Sequence, residues 1–442
     1  MKTKTSRAIT SYYVVVLLSL IFSGILCLYT LYNGYTTPVN KVVAVATILQ
    51  SLYLCYLYRY NIGLFFVMIM IAYTNYSVAV GVYLYPEVRP NALYAQFTRA
   101  KTYGPAIICV FIFCFALILL SKKIADDPKS IDSKSKQTQL NFEYNDVIAY
   151  GAVVIYLGIF FLTYSFGSDT ERGSGSALTE YRILVMIVGS YYCGKKNNFK
   201  WIWTVVVLLT SILTFYAGNR VSAFPSCICL IVMFYSDFID YKKVVAVLPF
   251  AVVFLALVGF MRGGFSLSID GLVSAGQKLM EDKLTYEGAI FGYLPSLSTV
   301  ELADVIPTGD KLKVLLEHIG YVFNIGTTSN NPDLSFYTRQ YYVHYWGFVS
   351  PVYFYFWLGY LGPVIFALLV NLYKKLYIKL ALKEKPDYLN KLKYILSIFF
   401  VSNVSRWYCY GPMGLIRGMF VCFVVFTIVY VCDRLIRKKV VF

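Results

Sequence analysis

The sequence predicts an all-α, polytopic integral membrane protein. The chain is 58% hydrophobic and 18% aromatic but only 14% charged, where a soluble protein carries roughly a quarter charged residues. Its apolar runs repeatedly approach the ~20 residues that cross a bilayer as a helix, so about twelve transmembrane helices are expected. Its lysines and arginines gather in alternate connections between those runs, the pattern that sets membrane orientation.

The first run, 12–31, follows Lys2, Lys4 and Arg7. It is long for a signal peptide and no small-x-small cleavage site follows, so it is read as a retained first span. Runs over 42–58, 63–84 and 104–120 come next. The stretch "SKKIADDPKSIDSKSKQTQ" then gives a solvated linker within 121–146. Runs over 147–166, 181–192, 201–216, 221–235 and 244–260 complete a block of transmembrane helices 1–9 over 1–260. The run 181–192 is short enough to be tilted or partly re-entrant. Residues 261–346 form one large polar loop, and a loop that long in a compact protein is usually functional. Runs over 347–371, 394–409 and 415–431 supply transmembrane helices 10–12 over 347–442. Pro225, Pro249 and Pro363 are expected to kink the eighth, ninth and tenth spans.

With the N-terminus inside, most of the 40 lysines and arginines fall on the cytoplasmic side. They include the short-loop pairs Lys195-Lys196, Lys242-Lys243 and Lys374-Lys375, which weigh most in this rule. Both termini are therefore expected to be cytoplasmic. The net charge of +17 is read as this orientation signal and not as affinity for nucleic acid. The loop 261–346 and the turn Ala217-Gly-Asn-Arg220 then lie outside. Within the loop, "GDKLKVLLEHIGYVF" places Leu312, Leu315, Leu316, Ile319 and Phe323 at helical spacing, which predicts an amphipathic helix on the outer face. A second helix is expected in "SIDGLVSAGQKLMEDKL". No internal repeat is evident, which speaks against transporters built from two halves.

Outer arginines oppose the orientation signal, so topology does not explain them. Arg220, Arg262, Arg339, Arg406 and Arg417 all lie near outer ends of spans or in the loop. A phosphate-rich partner at headgroup level would explain them, since guanidinium forks bind phosphate oxygens in pairs. Snorkelling to headgroups, or pairing with loop carboxylates, is the alternative for each. Both histidines, His318 and His344, fall in the same loop and could serve as a base near neutral pH. His344, in "YYVHYWGFVSP", should lie at the membrane surface within reach of the arginines. His318, beside Glu317, is expected on the solvated face of its helix. The loop acids, among them Asp270, Glu301 and Asp333, show no D-x-D pattern, and the loop has no cysteine, so no metal site is expected there. Cys227-x-Cys229 lacks zinc spacing and is read as packing. The loop tyrosines and Trp346 fit either sugar stacking or an interfacial aromatic belt. No P-loop, G-x-G-x-x-G, G-x-S-x-G or H-E-x-x-H motif is present, and acids are nearly absent from the spans, unlike proton-coupled transporters.

The chain resembles the Wzy-type O-antigen and surface-polysaccharide polymerases. The likeness rests on about twelve spans with both ends inside, Gly218-Asn-Arg220 at an outer turn, a large outer loop before a late span, and "HYWGFVSPVYFYFWLGYLGPVIF" from His344 to Phe366. The resemblance implies a bacterial inner-membrane glycosyltransferase that joins undecaprenyl-diphosphate-linked oligosaccharide repeat units at the periplasmic face. It implies no nucleotide, metal or other cofactor, because the lipid diphosphate is the activated donor. Membrane lipid and a chain-length regulator protein would be partners; nucleic acid would not. Arg220, Arg262, Arg339, Arg406 and Arg417 would hold diphosphate, and His344, with Arg220, would carry the chemistry. Related O-antigen ligases place a histidine similarly, which favours His344. A lipid-linked oligosaccharide flippase and an O-antigen ligase are the alternatives.

Overall fold

A computed structural model describes residues 2–86, 96–97, 100–127, 144–163, 175–193, 197–216, 220–261, 269–323, 333–344, 347–379 and 387–439. Among these the protein is nearly all helix, with isolated β-bridges and no strands. Among the described residues seven helices are long and apolar enough to cross a membrane: Ile9–Asn33, Thr37–Tyr58, Ile62–Leu84, Lys101–Leu119, Asn198–Phe215, Leu361–Ile378 and Pro412–Arg437. Shorter apolar helices cover Asp146–Leu162 and Ala223–Tyr235. This is a membrane protein. All ten cysteines are free thiols.

The chain divides into two compact units. The first comprises Met1–Asp132, Gln277–Leu372 and Arg406–Gly414. It opens with α1 (Lys2–Asn33), α2 (Thr37–Tyr58), α3 (Ile62–Val78, extended by a π-helical turn over Ala79–Leu84), α4 (Ala100–Leu119) and α5 (Lys122–Asp126). α2 packs on both α3 and α4. α1 is mostly open on its outward side: Leu17, Leu18, Ile25 and Leu28 are all exposed, as a lipid-facing helix requires. Polar side chains tie the core together without charge. Asn75 Nδ2 donates to Ser51 Oγ (2.9 Å), and Tyr408 Oη donates to Asn75 Oδ1 (2.7 Å).

The second unit comprises Ser133–Gly276, Tyr373–Ser405 and Leu415–Phe442. It contains α6 (Asp146–Thr163), α7 (Gly175–Tyr192), α8 (Asn197–Tyr216), α9 (Arg220–Leu230, extended by a π-helical turn over Ile231–Tyr235) and α10 (Tyr241–Met261). α6 pairs with α7 and α8 with α9. The run 181–192 is a continuous helix, longer than its apolar stretch.

Helix α11 (Ile269–Glu281) links the two sets of segments, and the helices that follow belong to the first unit: α12 (Glu287–Val305), α13 (Thr308–Phe323), α14 (Leu334–Thr338), α15 (Ser350–Tyr353) and α16 (Tyr355–Leu358). α17 (Leu361–Lys379), α18 (Tyr388–Ser402), α19 (Val404–Cys409) and α20 (Pro412–Lys439) complete the chain. α11 and α13 occupy the two stretches where the sequence predicts helices. α12 is unanticipated, and it is deeply enclosed, buried from Ala289 to Ala303 apart from Phe291 and Glu301. It packs on α3, α4, α14, α15 and α16. A helix buried on every side has no polar face, so hydrophobic periodicity leaves no signature of it.

The expected tenth span, 347–371, is not one helix. It breaks into α15, α16 and α17, with the turn at Gly359 held at φ +54°. Pro363 kinks nothing: it lies in the first turn of α17, where its missing N–H would have no partner in any case. Pro225 and Pro249 do lie inside helices, in α9 and α10.

The first unit closes on one backbone contact. The carbonyl of Cys409, at the end of α19, accepts the amide of Phe348 (2.8 Å). A Cβ on Gly292 of α12 would sit 2.7 Å from that same carbonyl oxygen. Gly347, at φ +129°, crosses close to the Gly292 backbone, a conformation only glycine adopts readily. Ser296 Oγ accepts the Val349 amide (3.0 Å), and Ser350 Oγ donates to the Trp407 carbonyl. Gly292→Ala therefore forces backbone apart and is expected to cost about 1–3 kcal/mol, read as a lower unfolding temperature in detergent. Gly309→Ala, at a position with open space around it, serves as the control and leaves that temperature unchanged.

Candidate functional site

The two histidines meet one short helix. Asp333 caps α14 at its N-terminus, its Oδ1 accepting the amides of Ser335 (2.8 Å) and Phe336 (3.3 Å) and the Ser335 hydroxyl (2.5 Å). The Asp333 backbone carbonyl interacts with His318 of α13. At the other end of α14, Thr338 Oγ1 lies 2.9 Å from His344 Nε2. The Thr338 carbonyl accepts the amides of Tyr341 (3.1 Å) and Tyr342 (3.0 Å), which turns the chain back toward His344. Gln96 then fixes the neighbouring backbone from both sides, with Nε2 donating to the Val343 carbonyl (2.7 Å) and Oε1 accepting the Val343 amide (2.9 Å).

His318 is not solvated. Only 1% of it is exposed. It packs edge-on against Trp357, with ring centroids 5.8 Å apart, and its Nδ1 lies 3.1 Å from Tyr353 Oη. Its Nε2 is buried without a hydrogen-bond partner. The sequence reading fails here because α13 turns a different arc inward from the one its leucines mark. Val314, His318 and Val322 are the buried residues, and the leucine stripe is outside. Burial lowers the His318 pKa from 6.5 to about 4, and the Asp333 carbonyl only partly offsets this. The imidazole is therefore neutral at pH 7. Burial also raises the Asp333 carboxyl, against the pull of its three hydrogen bonds from Ser335 and Phe336.

Around these groups lies an aromatic and basic lining. Trp357 Nε1 donates to the Lys311 carbonyl (2.8 Å), and Lys311 Nζ lies 5.5 Å from the Phe356 ring centroid. Tyr337 packs on Phe356 and Tyr341. The arrangement puts two imidazoles, hydroxyls and a lysine beside rings that are mostly buried in the protein, with Tyr341 exposed at the edge. Among the described residues no three His, Cys, Asp or Glu side chains gather as metal ligands.

The expected arginines divide between the units. Arg339, exposed at the C-terminal end of α14, and half-buried Arg406 of α19 belong to the first unit. Half-buried Arg417 of α20 belongs to the second. Arg220 opens α9 in the second unit; its side chain, and the whole of Arg262, lie outside the described residues. The structure thus brings the two histidines together through α14. The second unit adds a residue the sequence reading passed over, Arg182 of α7. It is 4% exposed, with its guanidinium carbon 5.3 Å from the Tyr156 ring centroid and 5.1 Å from that of Phe160. A charge within the run 181–192 was itself the available signal.

Comparisons with protein families, with characterised proteins and with solved structures find no match for this chain.

The pH dependence of stability follows from His318. Its folded value lies below its unfolded one, so above pH 6.5 it costs nothing. As pH falls from 6.5 toward about 4, the unfolded chain takes up a proton that the folded chain refuses, and stability is lost. His318→Gln should flatten the fall in unfolding temperature across that window, measured by a thermal scan at each pH; an unchanged slope would refute the assignment.

Proposed function

We propose that the protein is a polysaccharide polymerase that joins undecaprenyl-diphosphate-linked oligosaccharide repeat units at the periplasmic face of the bacterial inner membrane. On this reading it has about twelve spans, both termini are cytoplasmic, and 261–346 lies on the periplasmic side. The observation that carries the reading is the junction of His318, α14 and His344 beside the start of a membrane helix, walled by Tyr337, Phe356 and Trp357. On this reading His344 is the acceptor base and exposed Tyr341 a surface for sugar stacking, in a membrane protein that also carries arginines not explained by orientation.

In the proposed reaction a hydroxyl oxygen of the fresh lipid-linked unit attacks the anomeric carbon of the growing chain. The new glycosidic bond forms as the bond from that carbon to the carrier diphosphate breaks. The electron pair leaves on the diphosphate, and the hydroxyl proton passes to His344 Nε2. To accept it, that nitrogen exchanges its present contact with Thr338 Oγ1 for the acceptor hydroxyl. Arg220, Arg262, Arg339, Arg406 and Arg417 hold the diphosphates and offset charge developing on the departing one. His318, buried and neutral, positions α13 against α14. The donor brings its own activation, so the proposed reaction calls on no nucleotide or metal. A chain-length regulator protein is the expected macromolecular partner.

The test is complementation of a deletion strain, with surface polysaccharide resolved on a gel. Arg220→Ala should insert at normal levels yet leave at most a single repeat unit on the surface. His344→Gln, which keeps a partner for the buried Thr338 hydroxyl, should insert at normal levels and do the same. Normal long chains from either variant would overturn the assignment. Complete loss of surface product in the deletion strain would point to a flippase, and polymer left on its carrier to a ligase.

A further inference from the structure

Helix α13 has three faces, and each calls for a different medium. At about 100° per residue, its side chains sort into three separate arcs. One arc, Val314, His318 and Val322, is buried in the protein. A second, Leu312, Leu316, Ile319 and Phe323, is wholly apolar and is exposed by 55%, 60%, 45% and 61%. The third is polar, with Asp310 and Lys313 exposed and Glu317 half-buried. A helix in water alone would not leave the second arc bare, because burying it would gain roughly 25 cal/mol for each Å² removed from water. A helix wholly within a bilayer would not carry the third.

The helix is anchored beside a membrane span. Trp357 Nε1 donates to the Lys311 carbonyl at 2.8 Å, and four residues after Trp357 the span over Leu361–Ile378 begins. That span bears its own exposed stripe, Leu361, Ile365, Leu368 and Leu372, with the same residue spacing as Leu312, Leu316, Ile319 and Phe323. In a membrane helix such a stripe faces acyl chains.

We infer that α13 is an interfacial membrane helix, seated where protein, lipid and water meet, with Leu312, Leu316, Ile319 and Phe323 sunk among the acyl chains of bilayer lipid next to the start of α17. The occupant is lipid and not a second copy of the chain, because Lys311 ties α13 through Trp357 to the start of a membrane span that carries an exposed apolar stripe of its own. The polar arc beside it matches the headgroup layer, the arrangement of helices lying in the plane of an interface. The inference holds whatever reaction the protein catalyses. It also means that α14, packed against α13, sits at headgroup depth.

The test uses the full-length protein in bilayers of phosphatidylethanolamine and phosphatidylglycerol. A benzophenone amino acid is placed singly at position 316 or 323, at Ile365 as a lipid-facing reference, and at Lys313 on the polar arc. All four sites are exposed, so the substitutions leave the core alone. After irradiation, mass spectrometry should find lipid adducts at 316 and 323 in yields comparable with position 365 and several-fold above position 313. Cross-links at 316 and 323 to a second copy or to another protein would overturn the inference. So would adduct yields there no higher than at 313 while 365 labels lipid normally.

Discussion

One backbone carbonyl, that of Cys409, fixes the first unit. It receives the amide of Phe348 at 2.8 Å, and it is approached so closely by Gly292 that no side chain fits between them. Three stretches distant in sequence, α12, the entry to α15 and the end of α19, meet there with their backbones in contact. Phe348 and Cys409 are each 1% exposed, so the backbone groups that meet there have to satisfy one another, because no water is at hand to do so. Ser296 and Ser350 complete the set by bonding the Val349 amide and the Trp407 carbonyl.

That junction decides where the histidines lie. With α12 held at the centre, α14 packs against it, and α13 packs against α14. His318 is then pressed between Tyr353 and Trp357, while His344 is drawn to Thr338. The same packing turns Val314, His318 and Val322 inward and leaves the leucines of α13 outside. The buried imidazole and the bare apolar stripe are thus two results of one helix orientation.

Charge is handled sparingly throughout. In the second unit Arg182 lies against the rings of Tyr156 and Phe160, whose faces attract a guanidinium. Asp433 of α20, 1% exposed, accepts from Asn145 Nδ2 (2.7 Å) and pairs with Arg437 Nε (2.9 Å). The bond from Asn145 ties the start of α6 to the end of α20. A buried ion held by aromatic faces or by hydrogen bonds loses less on leaving water than a bare one would.

The membrane class and the placing of most helices were legible in the sequence, because length and apolarity alone report whether a segment can cross a bilayer. The helices over Ile269–Glu281 and Thr308–Phe323 were legible too, since each keeps a one-sided apolar pattern. Helix α12 was not, because burial on all sides erases the contrast from which periodicity is read. The break at Gly359 was hidden among aromatic residues that favour no particular turn, and Pro363, the obvious breaker, proved harmless at the start of a helix. For the site, the sequence singled out the two histidines and could not say that both attach to α14, or that His318 faces inward: a helix with an apolar stripe on one side normally buries that stripe. Here the choice of buried face rests on contacts with Tyr353, Trp357 and the Asp333 carbonyl, which lie from about four helical turns' worth of residues to several dozen positions away in the chain. Composition and spacing determined by themselves that the chain belongs in a membrane; tertiary packing alone decided which side of α13 the protein keeps for itself, because that choice depends on partners no local pattern encodes.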